Sequence, residues 1–328
     1  MKKKSLIFRW MGLSVGIVLT IVFVASCYML SFSLSPRADR EAHVQTRLQE
    51  LTAANPEIKP WIDSLQRIHA LRDTIIYKEN GERMHAYYVY APKRTGRTAL
   101  LVHGYKDSGV GMLHIAHIYA QMGYNVLLPD LYAHGQSDGD HIRMGWEDRK
   151  DVLRWSAVAH SLFGTTAQVI HGISMGAATV MMLSGDNTPD YIRCFVEDCG
   201  YTDVWDEFSG ELRNQFDLPP FPLMYTTSAL CKLRYGWSFA EASALKQVAQ
   251  CHKPMLFIHG TADTYVPVRM VYPLYAAKPQ PKQLALFPRA VHAMSYSTHR
   301  KAYIQTVKRF VEKYIDLMQS PGSTAVEA

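Results

Sequence analysis

The sequence predicts an α/β protein with a mostly parallel central sheet, helices on both faces and a small helical insertion. Three observations carry that expectation. Short apolar runs alternate with amphipathic segments between residues 98 and 318, the pattern of strands covered on both faces by helices. An Asn80-Gly81 pair separates two strand-like runs and marks a hairpin, hence an antiparallel edge. Residues 201–249 interrupt the alternation with a stretch rich in aromatics and proline, too long for an ordinary connection.

The elements follow in chain order. Residues 1–9 hold Lys2, Lys3, Lys4 and Arg9, and no acidic residue occurs before residue 36. The rest of the chain carries 31 basic and 29 acidic groups, so the formal charge of +6 belongs mainly to the N-terminus. No concentrated basic face for nucleic acid is expected from that balance. Residues 10–35 are uncharged. As a helix they extend roughly 39 Å, enough for a hydrocarbon core of about 30 Å. The basic start then holds the N-terminus in the cytoplasm and the body outside it. Three readings of this segment stand side by side. It is an uncleaved anchor, a lipoprotein signal with Cys27 in the lipobox-like Val24-Ala25-Ser26-Cys27, or a cleaved signal peptide. The apolar run continues past Cys27 through Leu34, which favours the anchor.

Residues 36–70 are polar and periodic, with Val44, Leu48 and Leu51 at helical spacing, and read as a helical stem interrupted at Pro56 and Pro60. A domain over 71–318 follows. Strands are predicted at 72–77, 84–90, 98–102, 125–128, 167–170, 192–196, 255–259 and 284–287. Helices are predicted at 115–121, 146–162, 175–183, 268–277 broken or bent at Pro273, and 299–318. Residues 319–328 form a tail. Cys194, Cys199, Cys231 and Cys251 permit two disulfides in an exported body, although single buried thiols fit as well.

The chemistry enters at Gly172-Ile173-Ser174-Met175-Gly176, between a predicted strand and a predicted helix. A sharp strand-to-helix turn leaves no room for side chains at Gly172 and Gly176 and thrusts the serine outward. A serine hydroxyl needs a base. Asp263 follows the next-to-last strand and His292 the last. Loops after parallel strands converge on one sheet edge, and the chain order is Ser, Asp, His.

Five motifs then resemble the α/β-hydrolase superfamily: Leu100-Leu-Val-His-Gly-Tyr105, Asp130-Leu-Tyr-Ala-His-Gly-Gln-Ser137, His171-Gly-Ile-Ser-Met-Gly176, Phe257-Ile-His-Gly-Thr-Ala-Asp263 and Val291-His292-Ala293. Within it the chain looks most like bacterial membrane-anchored or exported serine aminopeptidase-like, Bem46-like hydrolases, over residues 74–315. Ile173 and the His-Gly-Tyr sequence at 103–105 depart from true lipases and from carboxylesterases with a His-Gly-Gly-Gly run. The resemblance implies an α/β-hydrolase fold with a cap insertion. It further implies a serine hydrolase acting on small or medium carboxylic esters or amides through an acyl-enzyme. Ser174 would be the nucleophile, His292 the base, Asp263 its orienting acid, and the N–H groups of Tyr105 and Met175 the oxyanion hole. Such a triad requires no metal and no organic cofactor. An aminopeptidase-like peptidase, an acyltransferase and a non-catalytic binding protein are the alternatives. Partners are then a small ester, amide or short peptide, and the membrane through the N-terminus.

Other candidates lie outside the triad. Tyr132, Trp205, Phe208 and Phe216 are pocket candidates, or packing for the insertion. Asp203, Asp206, Glu207 and Glu211 offer an acidic partner for a substrate amino group. His103, His134 and His259 are expected to brace loops, and Asp130 to hold its own loop.

Overall fold

A computed structural model describes residues 2–164 and 167–315. The chain forms α1 (Lys2–Leu34), α2 (Arg40–Ala54), α3 (Lys59–Arg67), β1 (Arg72–Tyr77), β2 (Arg83–Val89), β3 (Arg97–Val102), α4 (Leu113–Gln121), β4 (Asn125–Pro129), α5 (Asp148–Phe163), β5 (Ala167–Ile173), α6 (Met175–Ser184) and β6 (Ile192–Asp198). There follow α7 (Val204–Phe216), α8 (Leu223–Tyr235), α9 (Ala244–Val248), β7 (Met255–Gly260), α10 (Val271–Ala277), β8 (Lys282–Phe287), α11 (Ser295–Thr298) and α12 (Arg300–Ile315). This is the α/β-hydrolase fold. The predicted end of the last helix and the tail lie outside the described residues.

The chain divides into two units. The larger comprises Pro36–Thr202 and the chain from Ser243 onward. Its eight strands run in the order β1-β2-β4-β3-β5-β6-β7-β8. β1 and β2 pair antiparallel, as do β2 and β4, and every later pairing is parallel. The hairpin between β1 and β2 turns at Gly81, whose φ of 83° is open to glycine at no steric cost. The central strands are buried on both faces, so their residues are apolar without alternation. Ala99, Leu101, Val126, Leu128, Val169 and Val196 meet apolar residues of α4 and α12 in one core. α5 and α6 also pack on the sheet strands.

Four expectations change in detail. The stem is part of this core: Val44 and Leu51 of α2, Ile58 of a short 3₁₀ turn and Ile62 of α3 are buried in the same cluster. Pro60 opens α3 instead of interrupting it, since the first helical turn needs no N–H from that position. The predicted 268–277 helix is divided into a 3₁₀ turn at Val268–Met270 and α10, and Pro273 falls in the first turn of α10, not at the break itself. The two permitted disulfides do not form. All five cysteines are free, and the four in the body are buried.

The smaller unit is α1 with Asp203–Ala242. It contains α7 and α8, whereas α9, inside the predicted insertion range, belongs to the larger unit. Asp203 caps α7 by accepting from the N–H of Asp206 at 2.8 Å. Ser26 of α1 contacts Thr226 of α8, oxygen to oxygen at 2.6 Å. Phe32 meets Phe216 edge to face, with ring centroids 5.6 Å apart.

Candidate active site

Four loops at the C-terminal ends of β3, β5, β7 and β8 build the site, all within the larger unit. β5 turns into α6 at Ser174, which adopts φ 57° and ψ −120°. That left-handed conformation is unfavourable for serine and is the strain expected of a sharp elbow. The flanking glycines are sterically required. A Cβ at Gly172 would run into the carbonyl of Gly176, and a Cβ at Gly176 into the carbonyls of Val102 and His103. The Ser174 N–H donates to the carbonyl of Asp198 at 2.8 Å, tying the elbow to the end of β6.

The three predicted side chains meet in a line. Ser174 Oγ lies 2.8 Å from His292 Nε2. His292 Nδ1 lies 2.8 Å from Asp263 Oδ2. The relay runs from a buried carboxylate to a partly accessible hydroxyl. A hydroxyl beside a base whose other nitrogen rests on a buried acid is the geometry a serine nucleophile needs. Asp263 Oδ1 accepts the N–H groups of Tyr265 and Val266, each at 3.0 Å. His259 Nε2 stands 3.4 Å from Asp263 Oδ2 and 2.9 Å from the Val266 carbonyl. Burial works against the Asp263 carboxylate. Hydrogen bonds from His259 and His292 outweigh it and leave the pKa below the usual carboxylate value.

The loop after β3 passes against the elbow. A Cβ at Gly104 would sit 3.4 Å from the Cβ of Ser174, so the backbone leading to Tyr105 lies beside the Ser174 side chain. Met175 is the first residue of α6, where N–H groups have no intrahelical acceptor. The histidines fix this loop. His103 bonds the Gly104 carbonyl at 2.8 Å and accepts from the Leu131 N–H at 3.0 Å. His134 accepts from the Lys106 N–H at 3.0 Å. Asp130 accepts from the N–H of Gly109 at 2.7 Å and of Gln136 at 2.9 Å, and contacts His85 Nδ1 at 2.8 Å.

The pocket candidates fall in different units. Within the smaller unit, Trp205 packs on Tyr225, Phe208 on Phe239 and Phe216 on Phe32. Tyr132 belongs to the larger unit, where its ring lies under the Arg143 guanidinium at 3.2 Å.

Two sets of residues escaped the sequence reading. Asp198 receives the Tyr303 hydroxyl at 2.9 Å, Tyr303 lies 3.2 Å from His171 Nε2, and His171 Nδ1 lies 3.1 Å from the Tyr119 hydroxyl. Burial pushes Asp198 up to about 6, against the Tyr303 hydrogen bond, and pushes Glu197 up to about 8. The second set is Arg47 of α2, which holds both oxygens of Asp107 at 2.8 and 3.1 Å. Cys199 Sγ lies within 4.8 Å of ligand atoms of Asp263 and His292. Burial keeps its thiol protonated, and the other two groups already bind one another, so this trio is a poor metal set.

Comparison with known proteins bears on family and fold. Residues 139–317 match the prolyl oligopeptidase family. The Bacillus subtilis (strain 168) protein YqkD is 31% identical over 243 residues, covering 74% of this chain and 79% of its own length. The esterase Pf2001 of Pyrococcus furiosus superposes with a TM-score of 0.60 at 21% identity, over 74% of this chain and 92% of that one. The acylaminoacyl peptidase of Pyrococcus horikoshii does so with a TM-score of 0.58 at 16% identity, over 75% of this chain and 42% of that one. A serine hydrolase with the α/β-hydrolase fold, the chain belongs to the prolyl oligopeptidase family.

Proposed function

We propose that this serine hydrolase cleaves small or medium carboxylic esters through an acyl-enzyme on Ser174, and that it works outside the cytoplasm, held by α1 as an uncleaved membrane anchor. The observation that carries the catalytic half is the unbroken relay Ser174–His292–Asp263, with both links at 2.8 Å. His292 takes the Ser174 proton as Oγ attacks the acyl carbon. The oxyanion forms against the N–H groups of Tyr105 and Met175, worth about 3 kcal/mol each. His292 then gives that proton to the departing alkoxide, and the alcohol leaves. Water, deprotonated by His292, attacks the acyl-enzyme, and collapse returns the proton to Ser174 and frees the acid. Asp263 keeps Nδ1 protonated and stabilises the imidazolium at each stage.

Peptidase action is the second reading, favoured by the prolyl oligopeptidase match. The same relay serves an amide, provided His292 protonates the leaving amine. A panel of p-nitrophenyl esters and aminoacyl amides separates the two. We expect ester kcat/KM to exceed that of amides of the same acyl group, with neither cleaved by Ser174→Ala. Amide turnover without ester preference would favour the peptidase.

The anchor half rests on residues 10–34, an apolar helix long enough to cross a membrane, preceded by basic residues. Mass spectrometry of the N-terminus of membrane-extracted protein tests it. An intact N-terminal peptide is expected, and a diacylglyceryl group on Cys27 would establish the lipoprotein instead.

A further inference from the structure

The smaller unit pairs the apolar helix with part of the insertion, and this pairing sets a depth scale. Counting from Trp10, Ser26 lies roughly 24 Å along α1 and Phe32 roughly 33 Å, at about 1.5 Å per residue. A hydrocarbon core of about 30 Å entered at Trp10 therefore ends between them. Phe216, on Phe32, sits just outside that boundary, and Thr226, on Ser26, sits inside it. The chain from Phe216 to Thr226 thus runs back toward the apolar half of α1.

Its composition fits such a path. No charged residue occurs from Leu218 to Cys231, and Lys232 and Arg234 follow directly. Large apolar groups that a water-facing loop would hide are open: Phe221 is 73% exposed, Tyr225 58% and Leu218 39%. Polar atoms at the contact are satisfied internally. Ser26 bonds the Val22 carbonyl at 2.7 Å, and Thr226 bonds the carbonyls of Pro222 and Leu223 at 3.1 and 3.2 Å. Hydroxyls paired in this way tolerate apolar surroundings.

We propose that the segment from Leu218 to Tyr225 is a second membrane contact, docked on α1, whose Leu218, Phe221 and Tyr225 side chains enter the acyl-chain boundary of the leaflet from which α1 emerges. The partner is the lipid bilayer. The inference rests on the reading of α1 as an anchor and adds that the insertion shares its membrane.

Site-directed fluorescence on the full chain tests it, in vesicles of phosphatidylethanolamine and phosphatidylglycerol. Cys27 is the exposed cysteine and the other four are buried, so a thiol-reactive NBD probe reports one site at a time. Three proteins are compared: the native chain labelled at Cys27, Cys27→Ser with Phe221→Cys, and Cys27→Ser with Lys308→Cys as an aqueous reference on α12. The probe at 221 is expected to be reduced by aqueous dithionite roughly tenfold more slowly than the probe at 308, as for a group buried at the acyl boundary. It should also be quenched by lipids carrying a doxyl group near the glycerol end of the acyl chain. A protected Cys27 with position 221 as accessible as position 308 overturns the second contact and leaves the anchor standing. Accessible probes at both 27 and 221 overturn the anchor and this inference together.

Discussion

At the residue scale, the proposed chemistry depends on which groups hold their protons. Asp263→Asn keeps the shape of the acid and removes its charge, and it lets His292 adopt the wrong tautomer. We expect kcat to fall by about 10⁴-fold with little change in melting temperature. Near-native kcat would assign the acid's role to another carboxylate, with Asp198, buried and in electrostatic reach of His292, the alternative. Glu197 gives a pH signature. Burial raises it to about 8 in the folded protein, so the fold binds a proton there that the unfolded chain, titrating near 4.5, releases. Stability therefore falls as pH rises between those values, by at most about 1.4 kcal/mol per pH unit. Glu197→Gln removes the dependence, and thermal melts between pH 5 and pH 8 should show a flatter profile than the native protein. Parallel profiles would mean that Glu197 ionises without cost. Ser174, Asp263 and His292 were legible in the sequence because each follows a strand in a motif whose glycines or turn residues mark the geometry. Asp198 and Tyr303 were not. Their importance comes from contacts among β5, β6 and α12, which no spacing along the chain encodes.

At the element scale, α2 reaches the loop that follows β3. Arg47 grips Asp107 with two hydrogen bonds, and Asp107 lies in the loop that carries Tyr105. We propose that this arrangement makes Arg47 a positioning residue for the loop assigned to the oxyanion. Arg47→Ala is expected to lower kcat roughly tenfold or more while KM changes little, because a misplaced oxyanion donor costs transition-state binding selectively. Arg47→Lys restores a charge without the fork and should recover only part of the loss. A matched fall in stability with kcat unchanged would reduce the pair to a packing contact. The strands and helices of the body were legible from their hydrophobic periods. The helical spacing of the stem was legible but its place in the core was not, since Val44, Leu51, Ile58 and Ile62 make a stripe too narrow to reveal what covers it. Pro60 and Pro273 were read as interruptions because a proline at a helix start and one in a helix interior look alike until the first turn is located.

At the scale of the whole molecule, the sheet unit stands without covalent cross-links. The cysteines of the body are free and buried, so melting curves with and without a thiol reductant should coincide. A fall of several degrees in reductant would reveal a bridge. The division into two units was partly legible. The aromatic and proline content of 201–249 marked an insertion, but the association of α1 with Asp203–Ala242 joins segments far apart in sequence. The central claim is that the relay makes Ser174 the covalent nucleophile. Intact-mass analysis after treatment with a fluorophosphonate tests it most directly. One adduct per chain, mapped to Ser174, absent from Ser174→Ala and strongly slowed in His292→Ala, is the predicted result. Stoichiometric labelling of folded Ser174→Ala, or none of the folded native protein, would contradict it.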